Sequence, residues 1–176
     1  MNRREWLGQM VALAGGIVSR PVSAISRSAA QSRPADQEIK KLEKSKSEWR
    51  KLLSREQYRV LFEEGTEPAF SSSLDKEKRA GTYICAACYL PLFSSKAKFD
   101  SGTGWPSFTE PIAGGVDTKR DFKLILPRTE YHCVRCGGHQ GHLFDDGPPP
   151  TRQRWCNNGL ALKFVPDGES LPSLRT

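Results

Sequence analysis

Cys85-Ala-Ala-Cys88 and Cys133-Val-Arg-Cys136 are two C-x-x-C knuckles in one chain of 176 residues. Each places two thiols on a single tight turn. Two such turns complete a tetrahedral site with no open position, and zinc suits four soft thiolates without bringing redox chemistry. Both knuckles close β-prone runs, Thr82–Cys85 and Glu130–Val134, so they can meet as hairpin tips around one structural zinc ion. Two disulfides and an iron centre are the alternatives that the spacing leaves open. A fifth cysteine, Cys156, is left over. An odd count forbids a fully disulfide-paired set and leaves one thiol for chemistry.

The rest of the chain fits a small mainly β domain. Fifteen glycines and twelve prolines are spread without a period, which favours many turns and short strands. Beyond the knuckle runs, Phe122–Leu126 and Leu160–Val165 are β-prone, with Cys156 near the start of the last strand. Lys40–Glu64 is helical in pattern. Trp49, Leu52, Leu53, Tyr58, Leu61 and Phe62 recur at near-helical spacing, and Ser54 with Gln57 forms a cap signature. Two short helices with a break at Leu53-Ser54 follow. The expected fold is a small antiparallel β domain with short N-terminal helices and a four-cysteine zinc site.

The first residues read as an address. Arg3-Arg4 precede Trp6-Leu7, a weakly apolar segment runs to Ser19, and small residues stand at Val22 and Ala24. This is the three-part pattern of an export signal of the twin-arginine type, which implies a bacterial periplasm. The apolar segment is too short for a stable membrane span. The expected organisation is a signal over 1–24, a flexible linker over 25–46, one domain over 47–166 and a C-terminal tail over 167–176. The formal net charge of +7 is interspersed with acids, as in Lys76-Glu77-Lys78-Arg79. No basic stripe interleaves with stacking aromatics, so nucleic acid is not an expected partner.

Chemistry concentrates around the odd cysteine. In Arg154-Trp155-Cys156-Asn157-Asn158, strand alternation puts Arg154, Cys156 and Asn158 on one face, where Arg154 can favour the thiolate. His139 and His142 stand in a Gly-rich run that continues to Asp146 and follows the second knuckle directly. Such a run can supply extra metal ligands, form a plain surface loop, or act as a proton-handling loop beside Cys156; four thiolates that already fill the metal site argue against the first. Trp105, between Gly104 and Pro106, is a packing anchor or a pocket wall.

Three motifs together resemble the B-type methionine sulfoxide reductases: Phe99-Asp-Ser-Gly-x-Gly-Trp-Pro-Ser-Phe108, His139-x-Gly-His-x-Phe-x-Asp-Gly-Pro148 and Arg154-Trp-Cys-x-Asn158. The two knuckles, Glu56–Val60 and Gly65-Thr-Glu67 extend the resemblance, which runs from about Ser47 to Pro166. It implies thiol-dependent reduction of the R epimer of methionine sulfoxide in oxidised proteins and peptides. It makes Cys156 the nucleophile, left as a sulfenic acid when methionine departs. His142 and His139, supported by Asp146 and Asn158, would hold a water or proton for the departing oxygen, and Arg154 would keep Cys156 ionised. Trp105 would seat the S-methyl group, with Phe108 as a further substrate contact. The expected state is a monomer. Recycling falls to a thioredoxin-like or small-thiol reductant, because Thr103 stands where many members carry a resolving cysteine. Asn157 and Gly159 also depart from the family's usual Ile or Val and Ser. The competing class is a metal-stabilised binding module, which would have no need of an Arg-x-Cys-x-Asn face beside His and Asp.

Overall fold

The computed structural model describes residues 39–122 and 127–176. The expected export signal over 1–24 and the linker up to residue 38 lie outside the described residues. So do residues 123–126 of the strand expected over 122–126.

Two short helices open the domain, α1 (Lys46–Leu52) and α2 (Arg55–Glu63). Each begins with a reciprocal capping box. Ser45 accepts from the Glu48 N–H while Glu48 takes the Ser45 N–H, and Ser54 and Gln57 do the same for α2. The first box moves the helix start from the expected Lys40 to Lys46. Upstream of it the chain is not helical, and the Leu42 N–H donates to the Arg135 carbonyl at 2.6 Å. A backbone N–H committed to the second knuckle cannot also serve a helix. The break at Leu53-Ser54 stands where the cap signature places it.

Among the described residues, nine strands form two antiparallel sheets. The smaller has the order β2 (Pro91–Ser94), β1 (Gly81–Cys85), β9 (Leu162–Pro166). The larger has six strands. Its order is β3 (Lys98–Phe99), β4 (Ser107–Phe108), β8 (Arg154–Asn157), β7 (His139–Phe144), β6 (Arg128–Cys133), β5 (Val116–Asp121). The knuckles are the turns of two hairpins, β1–β2 in one sheet and β6–β7 in the other. β5 ends at Asp121, and Phe122, the one described residue of the strand expected over 122–126, is outside it and exposed. Five of the six β5 residues are polar, because this is an edge strand whose residues 117–120 are exposed on both faces. Cys156 is not at the start of the last strand. It belongs to β8, separated from β9 by a 3₁₀ turn over Gly159–Ala161.

A chain of aromatic rings joins the sheets. Phe93 stacks on Phe108 at 4.2 Å, Tyr83 meets Phe108 edge-on at 4.9 Å, and Tyr131 meets Trp155 edge-on at 5.0 Å. Phe108 is therefore core, fully buried between Phe93 and Tyr83. The segment after Pro166 has no regular structure, yet it folds back on the first knuckle, where the Arg175 N–H donates to the Cys88 carbonyl at 3.1 Å. No helix among the described residues is long and apolar enough to cross a membrane.

Candidate active site

Strand register assembles the site. On adjacent strands Cys156 of β8 pairs with His142 of β7, and His142 pairs with Glu130 of β6. Alternation keeps these three on one face of the sheet, while Trp155, Asn157 and Tyr131 face the core. Close approach between β7 and β8 depends on Gly141, where a Cβ would lie 1.9 Å from the Cys156 carbonyl oxygen. Cys156, His142, Trp105, Asn158 and Arg128 line a cavity of about 130 Å³.

The two histidines play different parts. His142 Nε2 lies 2.8 Å from Asp121 Oδ2, the same oxygen that accepts from Arg128 Nη2 at 2.8 Å. Burial holds the His142 pKa below its ordinary value, and the Arg128 and His139 charges add to this against the pull of Asp121. His142 is thus a neutral imidazole at neutral pH. Facing a carboxylate, it donates Nε2–H and leaves Nδ1 as an acceptor. His139 is buried behind it, with ring centroids 5.3 Å apart. Its Nδ1 lies 2.8 Å from Glu130 Oε1, and Glu130 also pairs with Lys119 at 3.1 Å. Burial pushes the Glu130 carboxyl up, but these two partners outweigh it and hold the group below its ordinary value.

Arg154 is fixed rather than free. Its Nε and Nη2 donate to the two oxygens of Asp146 at 2.7 and 2.9 Å, and its guanidinium lies 4.3 Å from the centre of the Phe144 ring. Asp146 therefore anchors Arg154 and does not reach the histidines by any direct bond seen among the described residues. The Arg154 charge and hydrogen bond draw the Cys156 pKa down, but burial is the larger effect and leaves the thiol above its ordinary value. Arg154 thus acts in the expected direction, toward the thiolate, against the desolvation of the charged sulfur. Phe108, expected among the substrate contacts, is enclosed in the core and does not line the cavity.

Glu67, a residue to which the sequence assigned no role, ties the cavity wall together. Its buried carboxylate accepts from the Gly159 and Leu160 N–H groups at 2.6 and 2.8 Å. Its carbonyl accepts from Trp105 Nε1 at 3.1 Å, and its N–H donates to Asn158 Oδ1 at 3.1 Å. Asn158 in turn donates from Nδ2 to the Gln140 carbonyl at 3.0 Å. Three segments of chain are thereby clamped through Glu67, and Asn158 extends the tie to β7, fixing the indole and the turn that follows Cys156. Burial pushes the Glu67 pKa up, and the two backbone N–H groups oppose this.

The four knuckle cysteines form a separate cluster, their sulfurs all within 4.8 Å of one another. Cys85 Sγ lies 3.7 Å from Cys136 Sγ, and Cys88 Sγ lies 3.5 Å from Cys133 Sγ. These separations are far beyond a disulfide bond. A tetrahedron with metal–sulfur bonds of about 2.3 Å has sulfur–sulfur edges of about 3.8 Å. The donor set therefore fits one metal ion. Cys85, Cys88 and Cys133 are buried and Cys136 is partly exposed. The closed four-thiol set leaves no place for His139 or His142 as ligands.

Residues 53–166 match the model of the SelR domain. The chain is 52% identical over 122 residues to the peptide methionine sulfoxide reductase MsrB of Leptospira interrogans, covering 69% of this chain and 93% of that one. It is 52% identical over 127 residues to MsrB of Bradyrhizobium diazoefficiens, covering 72% and 91%. With MsrB of Pseudomonas fluorescens the identity is 50% over 129 residues, covering 73% and 99%. A domain match over most of the chain, with half of the residues shared across nearly the full length of these relatives, places the chain in the SelR-domain family of MsrB peptide methionine sulfoxide reductases.

Proposed function

We propose that this protein is an oxidoreductase that reduces the R epimer of methionine sulfoxide in peptides and proteins, with Cys156 as nucleophile. The observation that carries the reading is Cys156 opposite His142 on neighbouring strands of a cavity walled by Trp105. A sulfoxide sulfur is electrophilic only while its oxygen is being protonated. The site must therefore supply a soft nucleophile and a proton to one substrate group.

Cys156 and His142 supply both. Burial keeps Cys156 as a thiol at neutral pH and keeps His142 neutral. As the sulfur attacks, its proton passes through His142 to the sulfoxide oxygen, while Arg154, held by Asp146, stabilises the developing thiolate. The S–O bond to methionine breaks, and the oxygen ends with its proton on Cys156. The net change is thiol plus sulfoxide to sulfenic acid plus thioether. Methionine sulfur gains two electrons, Cys156 sulfur loses two, and no outside proton is needed. Trp105 seats the S-methyl group, Asn158 holds the cavity wall, and His139 positions His142 from behind. The knuckle cysteines hold one structural zinc ion, which stays outside every step. An external thiol, from a thioredoxin-like protein or a small molecule, returns the sulfenic acid to the thiol.

A stereospecific assay with a small dithiol tests this reading. The R epimer should be consumed and the S epimer left. Iodoacetamide labelling of Cys156 reports the pH dependence. Because the thiol pKa is raised, labelling should climb with pH through a midpoint above the ordinary value of 9.0, and Arg154→Ala should push that midpoint higher. Consumption of the S epimer alone would overturn the assignment. The Arg3-Arg4 pair ahead of a short apolar segment supports export by a twin-arginine route to a bacterial periplasm. With lysine at both positions the protein is expected in the cytoplasm on cell fractionation, and undiminished export would exclude that route.

A further inference from the structure

Among the described residues, Leu52, Phe70, Phe122 and Leu171 are the large apolar side chains that stand exposed. Two of the four are phenyls. Phe122 follows Asp121, the partner of His142, and Phe70 touches the backbone of Gly104, which precedes the cavity's Trp105. Phe70 is 66% exposed and has left-handed backbone at φ 63°. A bulky side chain there is strained, and the strain persists only where surrounding structure imposes it. Its N–H donates to the Gly104 carbonyl at 2.7 Å. A Cβ at Gly104, itself at φ 86°, would lie 2.8 Å from the phenyl carbons, so the ring rests directly against the Gly104 backbone. The residue after Gly104 is Trp105, the indole wall of the cavity. Phe122 is 72% exposed and follows Asp121, the carboxylate that holds His142.

One exposed phenyl needs no explanation. One held exposed by strained backbone beside the indole wall does. The cavity, at about 130 Å³, has room for one side chain and not for its neighbours in a peptide. Residues flanking a bound sulfoxide must lie on the rim, and an exposed apolar ring there favours an apolar flanking side chain over a polar one. We infer that Phe70 is a specificity-determining residue, its ring receiving an apolar side chain next to methionine sulfoxide in an extended peptide. The substrate class is then a sulfoxide segment with apolar flanks, a conclusion that rests on the sulfoxide-reductase reading.

The test compares N-acetyl-methionine R-sulfoxide methylamide with two R-sulfoxide pentapeptides, one flanked by leucines and one by glycines. Wild-type protein should favour the leucine peptide over the glycine peptide in kcat/KM, mainly through KM. Phe70→Ala should cut that ratio about tenfold. Phe70→Tyr should keep it. Phe70→Gly, unstrained at positive φ, should cut it as alanine does, which separates loss of the ring from relief of strain. Each ratio is taken within one variant, so a general loss of active protein cancels. A wild-type enzyme with no leucine preference, or a ratio unmoved in Phe70→Ala, overturns the role of Phe70. Wild-type protein inert toward all three substrates overturns the reductase reading instead.

Discussion

Cys88→Ser should yield a chain that neither holds a metal ion nor keeps its fold at moderate temperature. Cys85 lies on β1 of the three-stranded sheet and Cys133 on β6 of the six-stranded sheet, so the four-thiol cluster ties the sheets through their hairpin turns. In structural zinc sites the binding energy is folding energy, about 10–16 kcal/mol. A domain of this kind has a net stability of about 5–15 kcal/mol. Losing even half of the metal contribution removes most of that margin. Cys88 is fully buried and its carbonyl accepts from Arg175 and from Arg135, so a knuckle that opens on losing the metal should also release the C-terminal segment. Elemental analysis of the wild type should give one zinc per chain, and a strong chelator should abolish the cooperative thermal transition. Cys156→Ser is the control, with metal content and transition unchanged. A Cys88→Ser protein that melts like the wild type would reduce the cluster to ordinary core.

Much of this architecture can be read from local chemistry. The knuckles are tight turns whose sulfurs must meet, and the capping serines decide where each helix begins. These are short-range effects, set by residues two to four positions apart. The Lys40 start fails for a reason that no local pattern contains: the Leu42 N–H belongs to Arg135, more than ninety positions away. The strand after Gly115 is hidden for a related reason. An edge strand with polar side chains, Val116–Asp121, carries no apolar alternation, whereas the apolar residues that follow do.

The site divides along the same line. Arg154 and Cys156 share a strand, so their common face follows from alternation. Their balance does not, since the penalty of burying Cys156 depends on β7 and on residues 66 and 105 around it. Asp121 reaches His142 only through the β5–β6–β7 order, and Glu67 reaches Gly159 across 92 positions. No spacing rule links such residues. Asn157, which stands where relatives of this type commonly have Ile or Val, is fully buried on the Tyr131 side of β8. It is a departure in the core and not in the row of reacting groups.

One equivalent of methionine R-sulfoxide, given without reductant, should produce one equivalent of methionine and a sulfenic acid at Cys156, with no internal disulfide. The argument is a count of thiols and their places. Four of the five cysteines are gathered in the metal cluster, and the fifth is Cys156. Thr103 occupies the turn where a second thiol would stand. Its hydroxyl lies 2.8 Å from Ser101 Oγ, which lies 2.8 Å from the hydroxyl of Ser107, the residue directly opposite Cys156 on β4. These hydroxyls are within the same neighbourhood as the nucleophile, but an alcohol cannot displace a sulfenic acid. The oxidised enzyme therefore waits for a thiol from outside, and a dimedone-type reagent should label it at Cys156 until one arrives. Cys156→Ser should lower the rate to background, a loss on the order of 10⁵-fold. Thr103→Cys should shift the single-turnover product from the trapped sulfenic acid toward an internal disulfide between the introduced thiol and Cys156. The same variant should speed the second half of the cycle with a disulfide reductant. A disulfide from Cys156 to Cys85, Cys88, Cys133 or Cys136 in the wild type after one turnover would overturn the scheme. It would make the metal cluster a source of electrons and not a fixed tie between the sheets.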